Sequence, residues 1–265
     1  MRQEIITQNK LVIKIGSSSI THENGLIDLW KMESLVRQIA NIHNSGKKII
    51  VVSSGAIPAG MGKMHLSERP KTIPEKQAAA AVGQSTLMHM YEKFFSEYSI
   101  TVAQVLLTKE DMYEETRREH CTNALNTLTE RNIIPIINEN DVVAIDEIKV
   151  GDNDTLSAEV CKMISFECLI ILSDINGVYD KDPRQNANAI QISEINNVKE
   201  LDSIDAGDSN SSVGTGGMIT KFNAARLLAP SKINMLIVNS QVDHILDRSL
   251  DGEDLGTFFH FSNSY

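Results

Sequence analysis

The sequence predicts a three-layer α/β/α sandwich on a mainly parallel central sheet, and three observations carry that expectation. Residues Leu11 to Ile15, Lys48 to Ser53, Thr101 to Leu107, Ile133 to Asn138 and Cys168 to Ser173 are short, nearly continuous apolar runs rich in β-branched residues. Strands buried on both faces read this way. Helical patterns separate the runs: Leu29 to Ser45 stopped by Gly46, Glu75 to Ser99, Arg117 to Arg131 and Asp154 to Ser165. Strand and helix alternate, which joins the strands by crossover units into a doubly wound sheet.

The later sequence continues the pattern with additions. Val143 to Ile145 and Glu147 to Val150 read as a small hairpin beside the sheet. Ile190 to Ile192 reads as a short strand, Gly217 to Ala229 as a helix stopped by Pro230, Ile233 to Val238 as a buried strand and Gly256 to Phe261 as an edge strand. Asp205 to Gly217, rich in Gly, Ser and Asp, reads as a loop of the length that is often functional. No internal repeat or Pro-rich linker divides the chain, so residues 1–265 are expected to form a single domain of two lobes, meeting near residue 165.

Bulk properties narrow the function. The 265 residues carry a formal charge of -10, which disfavours nucleic acid and anionic membrane as partners. The three cysteines, Cys121, Cys161 and Cys168, cannot all pair within one chain and show no C-x-x-C spacing; they read as buried thiols of a cytoplasmic protein. Met1 to Gly16 lacks the apolar stretch of a signal peptide and no run approaches the roughly 20 apolar residues that span a bilayer, so a soluble, untargeted protein is expected.

Nucleotide chemistry is not announced by the common motifs, since G-x-x-x-x-G-K-[ST] and G-x-G-x-x-G are both missing. Other pieces point to anion handling. Lys14 ends an apolar strand beside Gly16, where ligands of doubly wound sheets gather, although a lysine snorkelling off an edge strand fits equally. The second strand runs into Ser53-Ser54-Gly55-Ala56, whose N–H groups and Ser54 hydroxyl suit a substrate oxygen or form a plain tight turn. The fourth strand ends in Asn138-Glu139-Asn140-Asp141, and Gly151-Asp152-Asn153-Asp154-Thr155 precedes a helix. Asp154 or Thr155 can cap that helix, but a cap explains neither Asn153 nor the preceding cluster. Crowded carboxylates and amides suit a zwitterionic substrate better than a metal cage. Ser173-Asp174-Ile175-Asn176-Gly177 follows the fifth strand, with Asn176-Gly177 reading as a hairpin tip. Gly214-Thr215-Gly216-Gly217-Met218-Ile219-Thr220-Lys221 leads glycines into a helix, an anion-binding arrangement that Lys221 either joins or leaves as a solvated helix lysine.

Together these segments resemble the amino-acid kinase family, in its glutamate 5-kinase branch. The matching stretches are Val12 to Ser17, Ser53 to Gly60, Gln77 to Gln84, Ile137 to Asp141, Gly151 to Ala158, Ser173 to Pro183 and Gly214 to Lys221, and they span nearly the whole chain. Ser173 stands where the family often has threonine, a change that keeps the hydroxyl. Many members add a C-terminal domain of the RNA-modification-enzyme (PUA) type, and the chain is expected to be a short form without it.

The resemblance implies the amino-acid kinase fold, with an amino-acid lobe first and a nucleotide lobe second. It implies phosphorylation of the glutamate side-chain carboxylate by ATP with Mg²⁺, the metal held mainly by the ATP phosphates, as the first step of proline biosynthesis. By position, Lys14 and Lys221 flank the transferred phosphoryl group and Asp154 holds them; Ser54, Asp141 and Asn153 bind glutamate. Lys14, Gly16, Ser173, Asp174 and Thr215 to Lys221 (Thr215, Gly216, Gly217, Met218, Ile219, Thr220, Lys221) bind ATP. Proline is the implied feedback inhibitor. Ala59 to Glu75, with Gly60, Gly62, Pro70 and Pro74 and little regular patterning, reads either as a lid over the amino-acid site or as an inert surface loop. A homodimer or homotetramer is expected, Glu75 to Ser99 and Arg117 to Arg131 supplying apolar surface. Competing readings are a sister kinase acting on aspartate, acetylglutamate, carbamate or UMP, and a catalytically silent amino-acid sensor of the same fold.

Overall fold

Eight strands share one sheet in the computed structural model, which describes residues 2–22, 24, 26–144, 153–181, 183, 186–208 and 216–261. The first half of the chain gives α1 (Gln3–Thr7), β1 (Lys10–Ile15), α2 (Leu29–Asn44), β2 (Lys48–Ser53), α3 (Ala56–Lys63), α4 (Ile73–Ser96), β3 (Val102–Leu107), α5 (Lys109–Tyr113), α6 (Glu115–Glu130) and β4 (Ile134–Glu139). The second gives α7 (Asn153–Met163), β5 (Cys168–Ser173), β6 (Val178–Tyr179), β7 (Gln191–Ile192), β8 (Glu194–Ile195), α8 (Val198–Asp208), α9 (Gly216–Leu228), β9 (Asn234–Asn239), α10 (Ile245–Leu250) and β10 (Thr257–Phe259).

The strand order is β3-β4-β2-β1-β5-β9-β10-β8, parallel throughout except where β10 runs against β9. β1 lies between β2 and β5, with Lys14 level with Val52 on one side and Ile171 on the other. The chain therefore winds outward from β1 first in one direction and then in the other, and the carboxyl ends beside such a reversal form the crevice in which these sheets bind ligands.

Alternation along the strands splits the core in two. Leu11, Ile13 and Ile15 pack with Leu35 and Ile39 of α2 and Leu87 and Phe95 of α4; Val12 packs with Leu156 and Val160 of α7 and Phe222 and Ala225 of α9. Side chains of a strand alternate faces, so Lys14 shares the face of Val12 and points toward α7 and α9. That parity, set by sequence alone, decides which carboxylate the lysine can meet.

Several expectations are corrected. The strand at the C-terminal end, β10, is not at the edge, because β8 pairs outside it. Asn176-Gly177 is not a hairpin tip: β5 is flanked by β1 and β9, and β6 pairs instead with β7 in a separate two-stranded sheet. The loop expected from Asp205 starts later, since α8 continues to Asp208, anchored by fully buried Leu201 and by Asn197, whose side-chain oxygen Oδ1 accepts from the Glu200 N–H at 3.0 Å. The expected lid from Ala59 is helical to Lys63 and again from Ile73, which leaves only 64–72 irregular. Of the expected hairpin near residue 145, Val143 ends a turn that starts at Asp141, Ala144 follows it, and the rest lies outside the described residues. Cys161 and Cys168 are buried as expected, whereas Cys121 is half-buried; all three are free. On α6 the buried residues are Leu125 and Thr129, Leu128 is half-buried, and residues 115–120 are exposed and polar. No helix among the described residues is long and apolar enough to cross a membrane.

Candidate active site

Asp154 organises the crevice. It enters on the first turn of α7, 2% exposed, and its carboxylate meets two lysines from different elements: Lys14 Nζ at 2.7 Å and Lys221 Nζ at 3.2 Å. The Thr220 hydroxyl donates to the same carboxylate at 2.8 Å, and the Lys221 ammonium also donates to the Gly217 carbonyl at 3.0 Å. Burial by itself would raise the Asp154 carboxyl, but the two ammonium groups and the hydrogen bonds from Lys14 and Thr220 outweigh it and hold the group below the usual carboxylate range. Two ammonium groups against one carboxylate leave a unit of positive charge at the crevice floor, a standing attraction for an anion. Lys14 is thus a buried lysine of a central strand, and the edge-strand alternative falls. Lys221, 6% exposed, is likewise no solvated helix lysine.

A second polar cluster lies on the β2 and β4 side. Asn153 Nδ2 reaches the Ser54 hydroxyl at 2.8 Å, the Asn138 side-chain oxygen at 3.0 Å and the Ser53 carbonyl at 3.2 Å. Asn138 in turn donates to Gln84 Oε1 of α4 at 2.9 Å. This network welds the ends of β2 and β4 to the start of α7, and the fixed amides give the site a defined shape.

The entry to α3 completes that wall. Gly55 has φ 106°, a left-handed conformation that glycine adopts without strain, and it turns the chain from β2 into α3. Gly16 has φ -71° and so no such need. A Cβ there would instead sit 3.6 Å from Lys14 Nζ, in space an anion needs.

A cleft of about 380 Å³ joins these parts. The structure brings Lys14, Gly16, Ser54, Asp141, Asn153, Ser173, Asp174 and Lys221 of the expected residues to its wall. Asp154 stands behind the lysines. Gly216 to Thr220 form the first turn of α9, Thr220 turned to Asp154, Met218 half-buried against the core and Ile219 45% exposed. Thr215 lies outside the described residues. On the far wall the Ser173 hydroxyl donates to Asp174 at 3.2 Å, and its carbonyl accepts from the Ser240 N–H at 2.8 Å.

Four further residues contribute to the site. Arg69 also lines the cleft, though nothing in Glu68-Arg69-Pro70 marks it as a ligand-facing residue. Asn138 was visible in the polar cluster, but its bond to Gln84 crosses 54 residues. Gly60 lies in the stretch expected to be irregular and Gly83 inside a long expected helix, yet together they let α3 and α4 touch backbone to backbone, so that α3 begins at the cleft.

Comparison with known proteins agrees with this geometry. The model of the amino acid kinase family matches residues 9–239. The glutamate 5-kinase of Clostridium tetani is 51% identical over 98% of this chain and 97% of its own, and that of Clostridium acetobutylicum is 51% identical over 95% and 94%. Among solved structures, carbamate kinase from Giardia lamblia bound to AMP-PNP superposes with a TM-score of 0.68 at 16% identity, covering 96% of this chain and 99% of that one, which is a likeness of fold. Sequence, fold and cleft therefore agree that this chain belongs to the amino acid kinase family, in the branch that holds the glutamate 5-kinases.

Proposed function

We propose that the cleft transfers the γ-phosphoryl group of ATP to the side-chain carboxylate of L-glutamate, giving L-glutamyl 5-phosphate and ADP. The observation that carries this reading is the Lys14–Asp154–Lys221 arrangement, two ammonium groups held on one buried carboxylate at the end of the central strand. In the reaction a carboxylate oxygen attacks phosphorus, the bond to the ADP oxygen breaks, and no proton need move. Two anions must be brought together, so catalysis consists of alignment and charge stabilisation. Lys14 and Lys221 would flank the transferred group, and Asp154 would fix both ammonium positions before substrate arrives.

Ser54, Asn153 and Asp141 would hold glutamate on the β2 and β4 side, Asp141 taking its ammonium group. Gly16, Ser173, Asp174 and the start of α9, including Thr215, would hold ATP on the other. This corresponds to an amino-acid lobe over about residues 1–165 and a nucleotide lobe over about 166–265. Mg²⁺ would arrive on the ATP phosphates, where it would supply further charge neutralisation. Three free thiols suit a reducing cytosol.

Placement in proline biosynthesis follows from the product. Proline shares the α-carboxylate and cationic nitrogen of glutamate but offers no γ-carboxylate, so it should inhibit competitively with glutamate; unaltered rates at millimolar proline and subsaturating glutamate would remove that element. Assembly as a homodimer or homotetramer is proposed from the family alone. An ATP-consumption screen over glutamate, aspartate, acetylglutamate, carbamate and UMP tests the acceptor, with glutamate expected to be preferred.

A further inference from the structure

We infer that Arg69 is the anchor for the α-carboxylate of the amino-acid substrate. The inference rests on glutamate being the acceptor, as proposed above, and deepens that reading. Three cationic side chains line the cleft among the described residues: Lys14, Lys221 and Arg69. Glutamate brings two carboxylates. Lys14 and Lys221 are bound to Asp154 at the phosphoryl-transfer end, which is where the γ-carboxylate must go. Of the other charged side chains lining the glutamate side, Asp141 and Glu139 repel an α-carboxylate, which leaves Arg69 as the cation not already held by Asp154.

The local structure keeps Arg69 available. Its nearest acidic neighbour in sequence, Glu68, pairs with Lys71 at 3.0 Å, and Arg69 has no hydrogen bond or ion pair among the described residues. The chain on its C-terminal side is fixed: Pro70 is buried, and Thr72 and Glu75 cap α4 reciprocally, the Thr72 N–H donating to Glu75 at 3.1 Å and the Glu75 N–H to the Thr72 hydroxyl at 3.4 Å. An exposed, unpartnered guanidinium is thus presented from a tethered loop rather than a free one. That loop joins α3 to α4, on the side of β1 that holds β2 and β4, so Arg69 belongs with Ser54 and Asp141 rather than with Ser173 and Asp174. A guanidinium meets a carboxylate with two parallel N–H donors, which selects for an intact α-carboxylate in a way a lone ammonium does not.

The test compares L-glutamate with L-isoglutamine, its α-amide, which keeps the ammonium and the γ-carboxylate. Wild-type protein should favour glutamate in kcat/KM, and Arg69→Gln should lower the glutamate value by about 10- to 100-fold, the range for losing a hydrogen bond to a charged group. The isoglutamine value and the KM for ATP should stay unchanged, and Arg69→Lys should restore part of the loss. Equal losses on both substrates, a raised KM for ATP, or discrimination intact in Arg69→Gln each overturn the role of Arg69. Wild-type protein inactive on both substrates contradicts the acceptor itself, a different failure.

Discussion

Gly83 of α4 crosses Gly60 of α3 with no room for a side chain: a Cβ on Gly83 would lie 2.4 Å from the Gly60 nitrogen and 1.7 Å from the Ala56 carbonyl oxygen. The clash is with backbone, which cannot swing aside as a flexible side chain can. Gly83→Ala should therefore cost about 1–3 kcal/mol or more, the usual range for overpacking, and should displace the start of α3 that lines the cleft. Chemical denaturation and the KM for glutamate read the two effects. A variant of normal stability and normal KM would show that the helices separate freely.

Asp154→Asn should weaken both fold and turnover. Removing the carboxylate leaves two buried ammonium groups facing one another, and breaking a buried pair costs about 3–5 kcal/mol. The sign with pH follows from the depressed Asp154 carboxyl. Its contribution is complete above the unfolded value of about 3.9 and is lost as pH falls through the lower folded value. The stability difference between wild type and Asp154→Asn should accordingly be constant from about pH 5 to 8 and shrink only in stronger acid. A difference that changed across neutral pH would contradict the depressed carboxylate.

Lys14→Ala and Lys221→Ala should each slow turnover by about 10²- to 10³-fold, as when a preorganised donor to transition-state charge is removed. Circular dichroism should show the fold retained. Near-normal kcat in folded Lys221→Ala would mean that this lysine serves Asp154 and not the reaction.

Asp141→Asn should raise the KM for glutamate by roughly thirtyfold, from about 2 kcal/mol for a lost charge pair, while the KM for ATP changes little. Equal rises on both substrates would assign Asp141 to the architecture of the loop after β4, which Gln77 already ties down through the Val142 carbonyl at 3.0 Å.

The sequence showed the sheet and the crevice well, because strand parity and the small-residue strand ends act locally. Lys14 shows the limit: from sequence an edge-strand lysine fitted equally, and it is the pairing of β1 between β2 and β5 that buries it. What escaped notice depends on partners distant in sequence. The separate pairing of β6 with β7 joins segments about a dozen residues apart, the Gly60–Gly83 contact has no local signature, and Arg69 sits in a stretch without periodicity. The helix from Val198 was hidden by the Gly and Asp that follow it, although Leu201 alone is enough to pin its first turn to the core.

The most direct test of the account is acyl-phosphate trapping. Protein, ATP, Mg²⁺ and L-glutamate are incubated with hydroxylamine, and hydroxamate and ADP are counted. The Lys14–Asp154–Lys221 geometry, applied to a glutamate side chain, predicts γ-glutamyl hydroxamate in step with ADP, and almost none from Lys14→Ala. Robust phosphorylation of acetylglutamate or UMP with none of glutamate would contradict it.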